Sequence, residues 1–130
     1  SPRTVSVNGE ILEADKIFIN TGGRAFVPPG GEEDGTPCLT NSSIMHVDFL
    51  PKHLIVIGGS YVGLEFAQMY RRFGSEVTVI EKGPRLAGRE DEDVSQVLRT
   101  IMEKEGVNVV TGANCIYARK HPEGAEVVTE

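Results

Sequence analysis

Strand patterns alternate with helix patterns along this chain, which makes it an α/β protein. Three observations carry that assignment. Leu54-Ile55-Val56-Ile57 is a short β-branched, apolar run of the kind a strand covered on both faces requires. After the turn Gly58-Gly59-Ser60-Tyr61-Val62-Gly63, the residues Val62, Phe66, Met69, Tyr70 and Phe73 recur at helical spacing. Gly74 then stands where a helix end favours a left-handed residue. Glu76 to Ile80 is a second strand, ending on Glu81. Two parallel strands need such a crossover, so the expected architecture is a Rossmann-like parallel sheet flanked by helices, with an antiparallel hairpin added.

Thr4 to Val7 and Glu10 to Leu12, joined by Asn8-Gly9, read as a hairpin, because Asn-Gly favours the turn that matches strand twist. Lys16 to Asn20 reads as a further strand running into Thr21-Gly22-Gly23. Residues 22–37 hold five glycines and three prolines, the composition of a linker. Residues 1–38 are therefore expected to be a stub of a neighbouring domain plus linker, and 39–130 a separate domain. The start at Ser1-Pro2, without methionine, suggests an excised or processed fragment. Thr40-Asn41-Ser42-Ser43 offers N-cap oxygens for one helical turn at Ile44-Met45, which Leu50-Pro51 ends. Pro84 to Arg89 is a loop. Residues 92–105 form a second helix with Val94, Val97, Leu98 and Ile101 on one face, acids at its start and Gly106 closing it. Val107 to Val110 is a third parallel strand. Asn114 to Arg119 and Glu126 to Thr129 pair as an antiparallel hairpin through Pro122-Glu123-Gly124.

The turn after the central strand carries the chemistry. Against G-x-G-x-x-G it offers Gly58, Ser60 at the second glycine position, and Gly63. The first glycine permits the tight turn, the second position lets backbone approach a pyrophosphate, and the third lets helix and strand pack closely. Serine is small, so it weakens the match without breaking it. N–H groups without partners at the helix start, aided by the helix dipole, would then face phosphates. Glu81 follows Gly58 by 23 positions, near the spacing of the acid that holds adenosine ribose hydroxyls. The competing reading is a strand–helix–strand unit whose glycines serve only packing. It leaves Glu81 unexplained.

Composition excludes other classes. The 130 residues are 39% hydrophobic and 25% charged, with a net charge of −6 and no basic run. Nucleic acid is not an expected partner, nor is a membrane, since no apolar stretch reaches spanning length. Cys38 and Cys115 stand far apart with no CxxC spacing, and this acidic, cysteine-poor chain suits a reducing cytoplasm. His46, His53 and His121 match no catalytic or metal arrangement, so no catalytic residue and no metal ligand is assigned.

Leu50-Pro51-Lys52, the run Ile55 to Glu65 (IVIGGSYVGLE) and Val77 to Leu86 (VTVIEKGPRL) together resemble the pyridine nucleotide-binding domain of the FAD-dependent pyridine nucleotide–disulfide oxidoreductases. Dihydrolipoamide dehydrogenase, glutathione reductase and mercuric reductase are members of that family. The resemblance extends from about Asp15 to the C-terminus. It places Gly58, Gly59, Ser60, Tyr61, Val62 and Gly63 on the pyrophosphate turn. Tyr61 matches an aromatic lid on the nicotinamide side of the flavin; it is otherwise a helix-start residue in a cleft. Glu65 matches the acid that meets the nicotinamide carboxamide; it is otherwise a first-turn acid stabilised by the helix dipole. Glu81 implies NAD(H) over NADP(H), because a carboxylate repels a 2′-phosphate, while Lys82 and Arg85 pull the other way. Thr21 and Gly22, after Asn20 where the family has alanine, match the stretch that passes close to FAD. The resemblance further implies that the domain at 39–130 is incomplete at its C-terminal end, with FAD-binding and dimerisation domains in the same protein and a homodimer when intact. It also implies that this stretch alone is inactive, since a second glycine turn and a redox cysteine pair are missing from it. A nucleotide-sensing regulatory module and a flavin reductase without redox cysteines are the alternative readings.

Overall fold

The computed structural model describes residues 3–25, 27, 36 and 38–130. Strands β1 (Thr4–Val7) and β2 (Glu10–Glu13) form the expected hairpin, with Asn8 at φ 54° and Gly9 at φ 87° as its two turn residues. Both positive values match the type I′ geometry that Asn-Gly predicts. The strand expected at Lys16 to Asn20 does not form: these residues belong to no ladder, and Phe18 and Ile19 are 86% and 87% exposed. The sequence has strand character there, but a strand also needs a neighbour for its N–H and C=O groups. Among the described residues it has none. Most of the expected linker, residues 26, 28–35 and 37, lies outside the described residues.

A 3-10 turn, Ser43–His46, follows. The expected cap takes a different form, because Ser42 makes no side-chain cap bond. Instead Thr40 N–H donates to Ser43 Oγ at 2.8 Å, and Ser43 N–H donates to Thr40 Oγ1 at 3.3 Å. The turn buries Ile44, whose carbonyl accepts the Tyr70 hydroxyl at 3.4 Å.

The sheet that organises the molecule is β3 (His53–Ile57), followed by α1 (Tyr61–Phe73), β4 (Glu76–Glu81), α2 (Glu92–Lys104) and β5 (Asn108–Thr111). Strand order is β3-β4-β5 and both pairings are parallel, with Val56 beside Val79 and Val79 beside Val109. These residues, with Leu54 and Val77, form the sheet face that packs against Leu64, Ala67 and Tyr70 of α1 and Met102 of α2. Alternation puts Ile55, Ile57, Ile80 and Val110 on the other face, where Ile57 and Val110 stay exposed. Gly74 ends α1 at φ 110°, as a left-handed cap should.

Helix α2 turns a different face inward from the one its valines suggest. Ser95 and Met102 are buried and Leu98 packs on the core, whereas Val94, Val97 and Ile101 are exposed. Positions 95, 98 and 102 share helical spacing with 94, 97 and 101, so the periodicity alone cannot choose between two adjacent stripes. Packing against β5 decides. At the far end the two helices are clamped together. Arg72 donates to both oxygens of Glu105 at 2.8 and 2.7 Å, and Gln68 donates to one of them at 2.8 Å. The Arg72 hydrogen bond holds the Glu105 carboxyl below its ordinary value, and Glu105 raises Arg72. Strands β6 (Cys115–His121) and β7 (Gly124–Thr129) complete the described residues as the expected antiparallel hairpin. No helix among the described residues is long and apolar enough to cross a membrane.

Candidate functional site

The glycine turn lies between the C-terminal end of β3 and the N-terminus of α1, where open parallel sheets bind ligands. Each small residue in it answers a different requirement. Gly58 has φ 108° and nothing within 4 Å of a Cβ, so its demand is conformational. Its N–H donates to the Ile80 carbonyl at 2.8 Å and continues the β3–β4 pairing into the turn. Gly63 answers a steric demand: a Cβ there would collide with the Gly58 carbonyl oxygen and stand 3.2 Å from Val56 Cγ1. The helix can lie on the strand only because that Cβ is absent.

The second fingerprint position is Ser60, and its serine is accommodated without strain. Ser60 is the N-cap of α1, with φ −91° and ψ 175°, an exposed side chain, and a carbonyl that accepts the Leu64 N–H at 3.0 Å. Its hydroxyl makes no cap bond. The first-turn N–H groups of Tyr61, Val62 and Gly63 precede the first intrahelical bond, so they face outward as donors for an anion.

A second steric demand falls on Gly59, which the fingerprint leaves unspecified. A Cβ on Gly59 would stand 2.6 Å from Leu86 Cδ2 and 3.0 Å from Glu81 Cβ. Leu86 is 1% exposed and forms the floor beneath the turn. Sequence reasoning assigned Leu86 no role, although a large aliphatic residue in an otherwise polar loop was the available signal. The Gly59 N–H donates to Glu81 Oε2 at 2.6 Å, and the Gly83 N–H donates to Glu81 Oε1 at 2.6 Å. Glu81 thus stands at the end of β4 with its half-buried carboxylate against the glycine turn. A carboxylate offers about four lone-pair sites, and two N–H groups leave about two for further donors.

The remaining candidates divide. Tyr61 is 72% exposed, and with Ser60 and Glu65 it lines a cleft of about 560 Å³ closed by Ala87, Arg89 and the α2 residues Leu98 and Met102. Lys82 is exposed beside Glu81. Arg85 is tied into its own loop. Its Nη2 donates to the Gly88 and Glu90 carbonyls at 3.3 and 3.1 Å, and its Nε is buried without a partner among the described residues. Thr21 and Gly22 are exposed, with Gly22 at φ 67° and, among the described residues, nothing within 4 Å of where its Cβ would stand. A second hollow, of about 370 Å³ between His53, Glu76 and Asn108, opens at the N-terminal ends of the strands, away from the turn.

Known proteins are similar to this chain in sequence and in fold. The pattern of the family described as pyridine nucleotide-disulphide oxidoreductase matches residues 1–130. Dihydrolipoyl dehydrogenase of Thermus scotoductus is 38% identical over 130 residues, covering 99% of this chain and 28% of that protein. The probable pyridine nucleotide-disulfide oxidoreductase RclA of Escherichia coli is 36% identical over 120 residues, covering 92% of this chain and 27% of that protein. The solved structure of the HOCl-induced flavoprotein disulfide reductase RclA from Escherichia coli superposes with a TM-score of 0.80 at 35% identity, covering 98% of this chain and 30% of the other. The chain spans less than a third of the length of these relatives. With its strand, glycine turn, helix, strand and terminal acid in this order, the chain belongs to the pyridine nucleotide-disulphide oxidoreductase family.

Proposed function

We propose that this chain is the NAD(H)-binding domain of a FAD-dependent flavoprotein oxidoreductase, holding the nicotinamide for hydride exchange with a flavin. Residues 39–130 form the nucleotide-binding part, and residues 1–38 belong to the FAD-binding domain and the linker from it. The intact protein also carries a dimerisation domain, works as a homodimer and resides in the cytoplasm. The observation that carries this reading is the Glu81 carboxylate at the end of β4, set against the turn by the Gly59 and Gly83 N–H groups.

The residues present fit the nucleotide. The absence of a Cβ at Gly63 lets α1 pack directly on β3, which sets the helix N-terminus at the end of the strand, where a pyrophosphate would bind. The first-turn N–H groups and the dipole of the 13-residue α1 favour the two negative phosphates. Glu81 has about two lone-pair sites left, matching the two hydroxyls of an adenosine ribose. Tyr61 and Glu65 lie one helical turn apart on one cleft wall, which supports a role for them in orienting a nicotinamide and its carboxamide. NAD(H), when bound, supplies the hydride chemistry; the chain contributes binding and orientation. NAD(H) is favoured over NADP(H) because the Glu81 carboxylate would repel a 2′-phosphate and Arg85, already held on loop carbonyls, is not free to offset it.

Calorimetric titration of NADH into the chain tests the reading, with saturable binding expected. Dye reduction with NADH and added FAD should be absent. Failure to bind NADH, or measurable dye reduction by the chain alone, would contradict it.

A further inference from the structure

Gly59 is held from three sides by the end of β4 and the loop after it. Its N–H donates to Glu81 Oε2 at 2.6 Å, its carbonyl accepts the Ala87 N–H at 2.8 Å, and Leu86 Cδ2 fills the place of a Cβ. Glu81 is the centre of this attachment. Its second oxygen accepts the Gly83 N–H at 2.6 Å, and its backbone carbonyl accepts the Ala113 N–H at 3.1 Å just beyond β5. The loop between β3 and α1 is thereby tied through the Glu81 carboxylate to the end of β4 and the residues just after it, and the Glu81 backbone is tied in turn to the end of β5. Glycines leave a turn more freedom than any other residue, and this turn opens with two in succession.

We infer that Glu81 is a positioning residue for the pyrophosphate turn as well as an acceptor for the ribose, so that one side chain couples the two subsites. The inference rests on the dinucleotide reading above and deepens it. The Gly59 N–H is engaged by Glu81, so the donors left for a phosphate are those of the first turn of α1. Their placement follows from where Gly59 is held. Bonds from N–H to a carboxylate are about twice as strong as neutral ones, and a part-buried donor stripped of its acceptor drives the backbone to rearrange. Loss of the carboxylate should therefore weaken any ligand bound through its pyrophosphate, including one with no ribose hydroxyls. A side chain that met only the ribose would leave such a ligand untouched.

The test compares ADP with 2′,3′-dideoxy-ADP, titrated into the 130-residue chain and its Glu81→Gln variant, alongside the amide resonances of Gly59 and Gly83. Glutamine keeps the length but has one accepting oxygen, so it can satisfy one N–H and opposes the other. The variant should bind dideoxy-ADP about five- to tenfold more weakly than wild type, and ADP more weakly still. The Gly59 or Gly83 amide proton should leave the low-field position that a short charge-assisted bond imposes. If Glu81→Gln loses its amide dispersion, Glu81→Asp carries the same comparison, since it keeps the charge and withdraws it by one methylene. Equal binding of dideoxy-ADP by wild type and variant, with ADP alone weakened, would overturn the inference and leave the dinucleotide reading intact. Failure of wild type to bind either ligand would overturn both.

Discussion

Replacing Gly59 with alanine sets the structural account of the turn against the fingerprint account. The fingerprint asks for glycine at the position of Ser60 and is silent about Gly59. The structure reverses that order. The new methyl group would stand 2.6 Å from Leu86 Cδ2 and 3.0 Å from Glu81 Cβ. Leu86 is fully buried and Glu81 is tethered by two N–H groups, so neither neighbour can move aside freely. Overpacking of this kind costs about 1–3 kcal/mol. The φ of Gly59 is not in the left-handed region, so alanine also restricts the unfolded chain, which returns about 0.4–1 kcal/mol. The net destabilisation should be about 1–2 kcal/mol. With a urea m-value of about 2 kcal/mol/M, the unfolding midpoint should fall by about 0.5–1 M. Ser60→Gly is the control. Ser60 is an exposed N-cap without a cap bond, and glycine there should change stability by only a few tenths of a kcal/mol. Paired urea titrations with unchanged m-values would measure both. A Gly59→Ala midpoint equal to wild type, or a larger loss at Ser60→Gly, would refute the reasoning.

Three further outcomes follow from other parts of the molecule. Gly63→Ala should cost more than Gly59→Ala, because the new methyl group meets the rigid Gly58 carbonyl; equal midpoints in the same titration would contradict it. Glu105→Gln should be less stable than wild type at neutral pH, since the folded Glu105 carboxyl is held low chiefly by its Arg72 hydrogen bond. A depressed folded value means that this stability is present above the unfolded value and is lost as pH falls through the folded one. The gap between variant and wild type should therefore close on acidification, and a gap independent of pH would be the contrary result. Burial raises the Cys115 thiol, so its alkylation at neutral pH, followed by mass spectrometry, should be slower than that of an unstructured cysteine peptide. A rate matching the peptide would contradict that placement.

Much of the central unit was legible because its signals are local. Ile55 to Ile57 could only be a strand, Gly74 could only be a cap, and the turn between them has one economical geometry. Asn8-Gly9 fixed its hairpin for the same reason. What the sequence did not disclose depends on contacts between distant residues. Lys16 to Asn20 has strand composition but no ladder partner, and Val94, Val97 and Ile101 form an apolar stripe beside the one that packs. The site divides along the same line. Spacing was enough to put Glu81 at the end of β4, beside the glycine turn. Its bonds to Gly59 and Gly83, the floor made by Leu86 and the diversion of Arg85 onto loop carbonyls all depend on how the loop after β4 folds back. No periodicity encodes that.

The central claim is that Glu81 makes this an NAD(H) site, and the most direct measurement is a titration of NADH and NADPH into wild type and Glu81→Ala at one fixed salt concentration. A hydroxyl donating to a charged acceptor is worth about 1.5–3 kcal/mol, so wild type should favour NADH by about tenfold or more. Lys82, exposed to solvent, offsets less than about 1 kcal/mol of that. The alanine variant should lose NADH affinity and bring the two nucleotides close together. Equal binding of NADH and NADPH by wild type, or a preference that survives the loss of Glu81, would contradict the account.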